Sequence, residues 1–163
     1  MIISKNNKFI LKGILIFSIF SLSAAYFIQY ILGHKPCNLC LIERYPYLGA
    51  IIFISLFFII NRYEKVLLFS VLLLFIFGAV ISFYHVGIEQ NFFQESAICD
   101  VSNSLSNLQK EDLLKELKNT APISCKNVTF RIFGFSLATI NTVISMILSG
   151  IMIKILFSYD KNK

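Results

Sequence analysis

Two cysteines, Cys37 and Cys40, lie in a short polar gap between two long apolar runs. At this spacing they can close a tight disulfide or present two thiols together. A helix that begins here favours a thiolate over a thiol, and a nearby cation adds to that effect. Arg44 is such a cation, brought close by a first helical turn or, because Pro46 limits regular helix, by a tight turn. At a membrane edge Arg44 can instead contact lipid headgroups or pair with Glu43. The stretch therefore suggests thiol chemistry at the edge of a bilayer.

The second pair of cysteines, Cys99 and Cys125, is far apart in a long polar segment. A disulfide between them would close a long loop and act as a structural link worth roughly 2–4 kcal/mol. It could instead be a second redox pair that exchanges electrons with the first through a mixed disulfide. Zinc is a third use of four cysteines, but Cys99 and Cys125 supply no second close pair. We therefore expect no metal site.

Polar residues at the ends of the apolar runs, or within them, have simple interpretations. His85 directly follows the third run, and as a single interfacial histidine it is usually unremarkable, although it can donate a proton or a hydrogen bond to a ligand. Asn141, Ser145 and Ser149 recur every four residues in the fourth run, a pattern typical of helix packing. Tyr47 is one of several tyrosines near a run end, where such rings anchor a helix at headgroup level.

The composition indicates a membrane protein. The chain has 163 residues, of which 56% are hydrophobic and 15% charged. Runs of about twenty apolar residues predict membrane-spanning helices. A cleaved signal peptide is the alternative for the first run, but that run continues past the small residues at 23–25, so we expect an uncleaved helix. The net charge of +6 lies in short flanks of these runs, so we expect no nucleic-acid partner. The predicted spans are residues 13–32, 45–60, 66–84 and 134–157.

Charge distribution predicts the orientation. With four spans both termini share one side, which carries eight Lys and Arg residues against two acidic ones, whereas the other side has seven of each. The basic excess marks the cytoplasm, so the loops 33–44 and 85–133, with all four cysteines, are predicted to be periplasmic, where disulfides persist. Leucines within 105–118 predict an amphipathic helix. We expect an all-α membrane protein of a bacterial inner membrane, with one domain (1–163), a four-transmembrane-helix bundle and a long second periplasmic loop carrying that short helix.

These features resemble the DsbB family of membrane thiol:quinone oxidoreductases. The resemblance depends on Cys37-Asn38-Leu39-Cys40 followed by Glu43-Arg44, on four spans, and on Cys99 and Cys125 in the second outer loop. The stretch 84–89 is also similar to many members. The resemblance covers essentially the whole chain.

The resemblance implies a path for electrons. A reduced DsbA-like periplasmic thiol oxidase would attack the loop disulfide at Cys99, and Cys125 would pass electrons to Cys37 and Cys40. Cys40 would face a quinone, ubiquinone or menaquinone, from the membrane pool, and Arg44 would hold a ring carbonyl and stabilise its developing charge. By the same resemblance, His85 and Glu43 are further candidates for quinone binding.

Two other functions remain open at this point. One is a four-helix membrane scaffold with two structural disulfides. The other is an enzyme that runs electrons in the opposite direction, with a logic similar to that of vitamin K epoxide reductases.

Overall fold

A computed structural model describes residues 5–60, 63–94, 99, 125–126, 131–132 and 134–161. Within these residues the chain forms five helices and one two-stranded antiparallel sheet. In chain order they are α1 (Lys5–Tyr30), α2 (Asn38–Ile42), α3 (Tyr45–Ile59), α4 (Glu64–Glu89), β1 (Arg131–Ile132), β2 (Phe135–Ser136) and α5 (Leu137–Lys161).

Four helical segments are long and apolar enough to cross a membrane: Asn6–Tyr30, Asn38–Ile59, Glu64–Glu89 and Leu137–Lys161. Their outward faces carry large exposed side chains such as Phe20, Phe83 and Phe157. Apolar side chains on the outside suit a hydrocarbon surrounding, and helices satisfy their own backbone hydrogen bonds there. The predicted all-α, four-helix membrane fold is confirmed.

The second spanning segment is divided into α2 and α3. Helix α2 ends at Ile42, a turn contains Glu43 and Arg44, and α3 begins at Tyr45. Pro46 occupies the first turn of α3, where its missing N–H would have no helical partner in any case. Glu43 and Arg44 keep right-handed helical backbone angles, so the interruption between α2 and α3 is small.

Helix α4 extends five residues beyond the predicted end of its span at 84. The prediction placed His85 at the start of a loop, but His85 lies inside the last turns of α4. The helix continues because His85, Gly87 and Ile88 are buried against other parts of the protein. It ends at Gln90 as its capping residue, and Asn91 then adopts a positive φ of 60°, a conformation common after helix ends.

The helices pack around α4, which contacts both α3 and α5, while α1 packs against α3. Phe75 is completely buried in the core, and Tyr47 packs edge-on against its ring. Gly78 lets Pro46 of α3 approach α4 closely, since a Cβ there would lie 3.1 Å from the proline Cγ. This contact fixes the start of α3, and therefore the preceding turn, against α4.

The outer segment is described only in part. Strands β1 and β2 form a hairpin through Gly134, whose φ of 87° is easy only for glycine. Ser136 then accepts a hydrogen bond from the backbone N–H of Thr139 (3.2 Å), which caps α5. The amphipathic helix predicted within 105–118 lies outside the described residues.

Candidate active site

Cys37 and Cys40 form a dithiol at the first turn of α2. Cys37 is the N-cap residue, and its sulfur accepts a hydrogen bond from the backbone N–H of Cys40 (3.3 Å). The two sulfur atoms are 2.7 Å apart and both cysteines are free. A disulfide bond is about 2.05 Å long, so closing this pair requires only a small movement of the sulfurs.

His85 connects this dithiol to Glu43. Its Nε2 lies 3.5 Å from the Cys37 sulfur, and its Nδ1 lies 2.8 Å from Glu43 Oε1. His85 is 3% exposed. An ionised Glu43 can only accept, so Nδ1 carries the hydrogen, and Nε2 is left to take the thiol proton or, once protonated, to donate to the thiolate. Cys37, His85 and Glu43 thus have the arrangement of nucleophile, base and orienting carboxylate.

The surroundings of Cys37, which lies just before the first residue of the spanning segment, favour its thiolate. A hydrogen bond from the Cys40 side chain is the main cause, and it lowers the pKa of Cys37 from 9.0 to about 4. Burial opposes this shift, whereas the hydrogen bond and the positive charge of His85 support it. The thiolate is the reactive form of cysteine, and a thiol of low pKa is also the better leaving group, so Cys37 is suited to thiol–disulfide exchange.

Cys40 faces in a different direction, into a cavity of about 330 Å³. The cavity lies between α1, the turn that joins α2 to α3, and the start of α5. Most of its wall is apolar, and its polar side chains include those of Gln29, Glu43, Arg44 and Asn141. Its size is within the range of small-molecule sites. Among the described residues that line it, Cys40 is present and Cys37 is not.

Arg44 lines the same cavity and is held by α1. Its Nη1 donates to Gln29 Oε1 (2.6 Å), and its guanidinium lies 5.1 Å from the centre of the Tyr26 ring. Stacking on an aromatic ring and a hydrogen bond orient the planar cation. The contacts do not favour the alternative pairing of Arg44 with Glu43, because the Glu43 carboxylate is hydrogen-bonded to His85 and Asn141.

Cys99 and Cys125 form a disulfide. It belongs to a buried cluster that also contains Cys37, Leu39 and Ile88. The two cysteine pairs are therefore neighbours: Cys37 lies within the cluster, and Cys40 packs against the cluster and also lines the cavity. Cys99 and Cys125 are 3% and 2% exposed, so a protein partner reaches them only when their surroundings open.

Cys37, Cys40 and His85 offer three ligand atoms within 4.8 Å of one another, which is the composition of a partial metal site. In tetrahedral zinc sites, however, Zn–S bonds of about 2.3 Å put two sulfurs roughly 3.7 Å apart. The separation of 2.7 Å is too short for that geometry and suits a redox pair better. The expectation of no metal stays a prediction.

Asn141 and Tyr47 have contacts that the sequence patterns did not indicate. Asn141, interpreted above as a packing residue, donates to Glu43 Oε2 (2.9 Å) and to Ser82 Oγ (2.6 Å). Tyr47, interpreted above as a membrane anchor, donates to Asn141 Oδ1 (2.5 Å). The sequence did offer one signal for these contacts: a polar side chain inside a membrane is energetically costly, so a residue such as Asn141 needs a hydrogen-bond partner.

The fold and the site together define a class of protein, a multi-pass membrane protein with a buried dithiol beside an apolar cavity. The family model described as Disulfide bond formation protein DsbB matches residues 7–155. The chain belongs to the DsbB family, as the sequence motifs predicted, and so to the membrane machinery of disulfide-bond formation. It is also 32% identical to an uncharacterized protein of Rickettsia prowazekii (strain Madrid E) over 163 residues, which cover 99% of this chain and 95% of that relative. No solved structure matches this chain.

Proposed function

We propose that the protein oxidises a DsbA-like periplasmic thiol oxidase and passes the electrons through its two cysteine pairs to a membrane quinone. One observation carries the proposal: Cys37 lies in one buried cluster with the Cys99–Cys125 disulfide, and Cys40, which packs against that cluster, also shares an apolar cavity with Arg44. The dithiol thus lies next to both the Cys99–Cys125 disulfide and a cavity large enough for a small ligand. Such a position suits a relay between the two.

The electron path runs by thiol–disulfide exchange. A thiolate of the reduced partner attacks Cys99, which forms a mixed disulfide and releases Cys125 as a thiolate. The second partner thiol resolves the mixed disulfide, so the partner leaves oxidised and the loop pair is reduced. Cys125 then attacks the oxidised first pair at Cys37, the sulfur in its own cluster, and Cys99 completes the exchange. Two electrons and two protons now reside on the reduced pair and its neighbour: Cys40 is a thiol, and the proton of the Cys37 thiolate is held by His85.

The cavity residues fit a quinone. The apolar wall suits a ring with an isoprenoid chain, and the orienting contacts of Arg44 at the polar end suit a ring carbonyl, on which its charge would stabilise negative charge. A bound quinone, ubiquinone or menaquinone, supplies a two-electron, two-proton acceptor. Cys40 lies at the wall where its thiol can react. Since His85 contacts Cys37, we assign it to the dithiol as a base, in place of the quinone contact expected from sequence.

Orientation follows from charge. We propose that the chain is one integral domain of a bacterial inner membrane, with both termini cytoplasmic and both cysteine pairs periplasmic. The excess of Lys and Arg at the terminal side supports this orientation. The Cys99–Cys125 disulfide supports it as well, because disulfides persist in the periplasm and not in the cytosol.

Quinone reduction by purified protein tests the proposal. The protein in lipid nanodiscs is mixed with a reduced DsbA-like oxidase and a short-chain quinone, and absorbance follows the quinone. We expect turnover in the wild type, none in Cys40→Ser, and a KM for quinone raised about tenfold or more in Arg44→Ala. Arg44→Lys should recover part of that loss, because lysine keeps the charge without the planar fork. Lys12→Ala is the matched control, since Lys12 is also a cation over an aromatic ring, that of Phe58 (5.8 Å).

Other outcomes identify the alternative functions. A scaffold would show no turnover with any quinone and no response to Arg44→Ala. An enzyme that transfers electrons in the opposite direction would keep Cys37 and Cys40 mostly reduced in respiring cells. Thiol trapping in cells with and without respiration separates that direction from the proposed one, which predicts a mostly oxidised pair during respiration.

A further inference from the structure

Both carboxylate oxygens of Glu43 are held by side chains from other helices. Oε1 is bonded to His85 of α4, and Oε2 accepts from Asn141 of α5. Glu43 is 8% exposed. A buried carboxylate within a membrane protein is costly unless its oxygens are bonded, so these two contacts determine where Glu43 can point.

Tyr47 completes the set of contacts that hold the Asn141 amide in one orientation. The Tyr47 hydroxyl donates to Asn141 Oδ1, which turns the amide NH₂ toward Glu43 Oε2 and Ser82. With the amide reversed, its oxygen would face the acceptor-only carboxylate of Glu43, and that contact would be repulsive. The hydroxyl of Tyr47 therefore acts on Glu43 through Asn141, without touching it.

The same three residues, Glu43, Tyr47 and Asn141, line the cavity that contains Cys40. Glu43 thus has one oxygen against His85 and also a place in the cavity wall. Cys37 itself is not among the described residues that line the cavity. The contacts from Cys37 to His85 and from His85 to Glu43 connect the Cys37 sulfur with the cavity wall.

We propose that Asn141 and Tyr47 are positioning residues that hold Glu43 between His85 and the cavity, so that the proton of Cys37 reaches the cavity through His85 and Glu43. The inference rests on the proposed quinone reduction. Oxidation of the reduced pair forms one S–S bond and releases two electrons and two protons: one proton comes from the S–H bond of Cys40, and the other is the one that the Cys37 thiolate has already given to His85. The proton of Cys40 is released in the cavity directly. The proton given up by Cys37 is held at His85 Nε2, and on oxidation His85 passes the proton on Nδ1 to Glu43. The quinone is the acceptor of both electrons and both protons.

The titratable groups around this path are few among the described residues. Cys37 and Glu43 face His85 from the start of α2 and from the following turn, and Glu89 of α4 lies 3.8 Å from His85 Nε2. Helix α5 contributes the neutral Asn141. The test therefore measures proton transfer and the state of the Glu43 carboxyl, and not the pH optimum of turnover alone.

The variants Asn141→Leu and Tyr47→Phe test the proposal in full-length protein in nanodiscs. Each removes hydrogen bonds while keeping the shape of the side chain: leucine has the branching of asparagine, and phenylalanine has the ring of tyrosine. Ser149→Ala is the matched control, because Ser149 is also buried on α5 but its hydroxyl donates to its own helix at the Ser145 carbonyl. For both variants we expect kcat of quinone reduction to fall about tenfold, as is usual for weakened proton transfer, with a larger solvent deuterium isotope effect. The KM for quinone and its binding affinity by calorimetry should change less than kcat.

A second readout needs no quinone. The infrared difference spectrum between the oxidised and reduced first pair should contain a carboxyl band that disappears in Glu43→Gln and shifts in Asn141→Leu and Tyr47→Phe. A band that is unchanged in both positioning variants would overturn the proposal. So would a rise in KM and a loss of quinone affinity with kcat unchanged, because the residues would then be ligand contacts. Should Asn141→Leu fail to fold, Tyr47→Phe, which keeps the buried ring, decides alone. If the wild type reduced no quinone, the proposed function would fail, and the infrared band would still report whether these residues control Glu43.

Discussion

Replacing His85 by alanine should make Cys37 a weaker acid. The substitution removes a group whose Nε2 is 3.5 Å from the sulfur, and with it the positive charge that supports the thiolate. It leaves the hydrogen bond from Cys40, which is the larger cause of the lowered pKa. The expected change is therefore a partial return toward the ordinary value of 9.0.

The size of the effect follows from the acid–base equilibrium. With a pKa of about 4, Cys37 in the reduced protein is a thiolate throughout the neutral range. The sign is that of an acid with a lowered pKa: the thiolate is kept as pH falls until about pH 4, whereas in His85→Ala it is lost at a higher pH. Below the midpoint, each unit of increase in the pKa removes about nine-tenths of the thiolate. A rise of two units would thus lower the rate of Cys37 alkylation at pH 5 by roughly tenfold.

Alkylation kinetics measure this directly. The fully reduced protein is treated with iodoacetamide between pH 3 and pH 10, and tandem mass spectrometry assigns the label to Cys37 or Cys40. His34→Ala is the control, because His34 is the other of the two histidines in the chain and lines the cavity that Cys40 also lines. It should leave the midpoint of Cys37 in place.

An unchanged midpoint in His85→Ala would refute the reasoning, since the Cys40 hydrogen bond alone would then account for the acidity. Equal shifts in His85→Ala and His34→Ala would also refute it, because the effect would be one of general electrostatics or folding. A lower midpoint at Cys40 than at Cys37 would reverse the assignment of the nucleophile.

Two further predictions concern the scaffold. Gly78→Leu should lower the thermal unfolding midpoint and destabilise the protein by about 1–3 kcal/mol, because a side chain there meets the Pro46 ring. Gly13→Ala is the control and should leave the midpoint nearly unchanged, because a Cβ at Gly13 meets nothing within 4 Å. Equal losses of stability in the two variants would contradict this account of the packing. Lys65→Ala should cost less than about 1 kcal/mol, because its ion pair with Asp160 (2.7 Å) joins two exposed side chains. The loss should vanish in high salt, and a large, salt-independent loss in chemical denaturation would contradict the assignment.

The sequence predicted those parts of the structure that depend on local pattern. Apolar runs of sufficient length predicted the four spanning helices, and Cys37, Cys40 and Arg44 at their spacing predicted a thiol site beside one of them. The position of Pro46 indicated a turn between Cys40 and Arg44, and the chain does break there. These features depend on residues close together in the chain, so the sequence displays them directly.

His85 shows where local pattern stops being sufficient. The residues that follow His85 in the sequence are polar enough to suggest a loop, because a hydropathy pattern contains no information on tertiary packing. In the folded chain the imidazole of His85 is buried and bonds to Glu43, which is 42 positions earlier in the sequence. The helix continues beyond His85 and buries Ile88 as well. The end of the helix is set by tertiary contacts and not by the end of the apolar run.

Asn141 and Tyr47 make the same point more strongly, because each has a sufficient local interpretation. A tyrosine near a helix end anchors at the headgroups, and an asparagine among small residues packs helices, so neither pattern calls for a partner. Yet Asn141 is 94 positions from Tyr47 and 98 from Glu43, and the three meet at one wall of one cavity. Simple anchoring would leave the Tyr47 hydroxyl at the headgroups, and simple packing would not require the amide to select one carboxylate oxygen. The contact of Asn141 with Glu43, supported by Tyr47, is therefore better explained by a function of that carboxylate than by helix association alone.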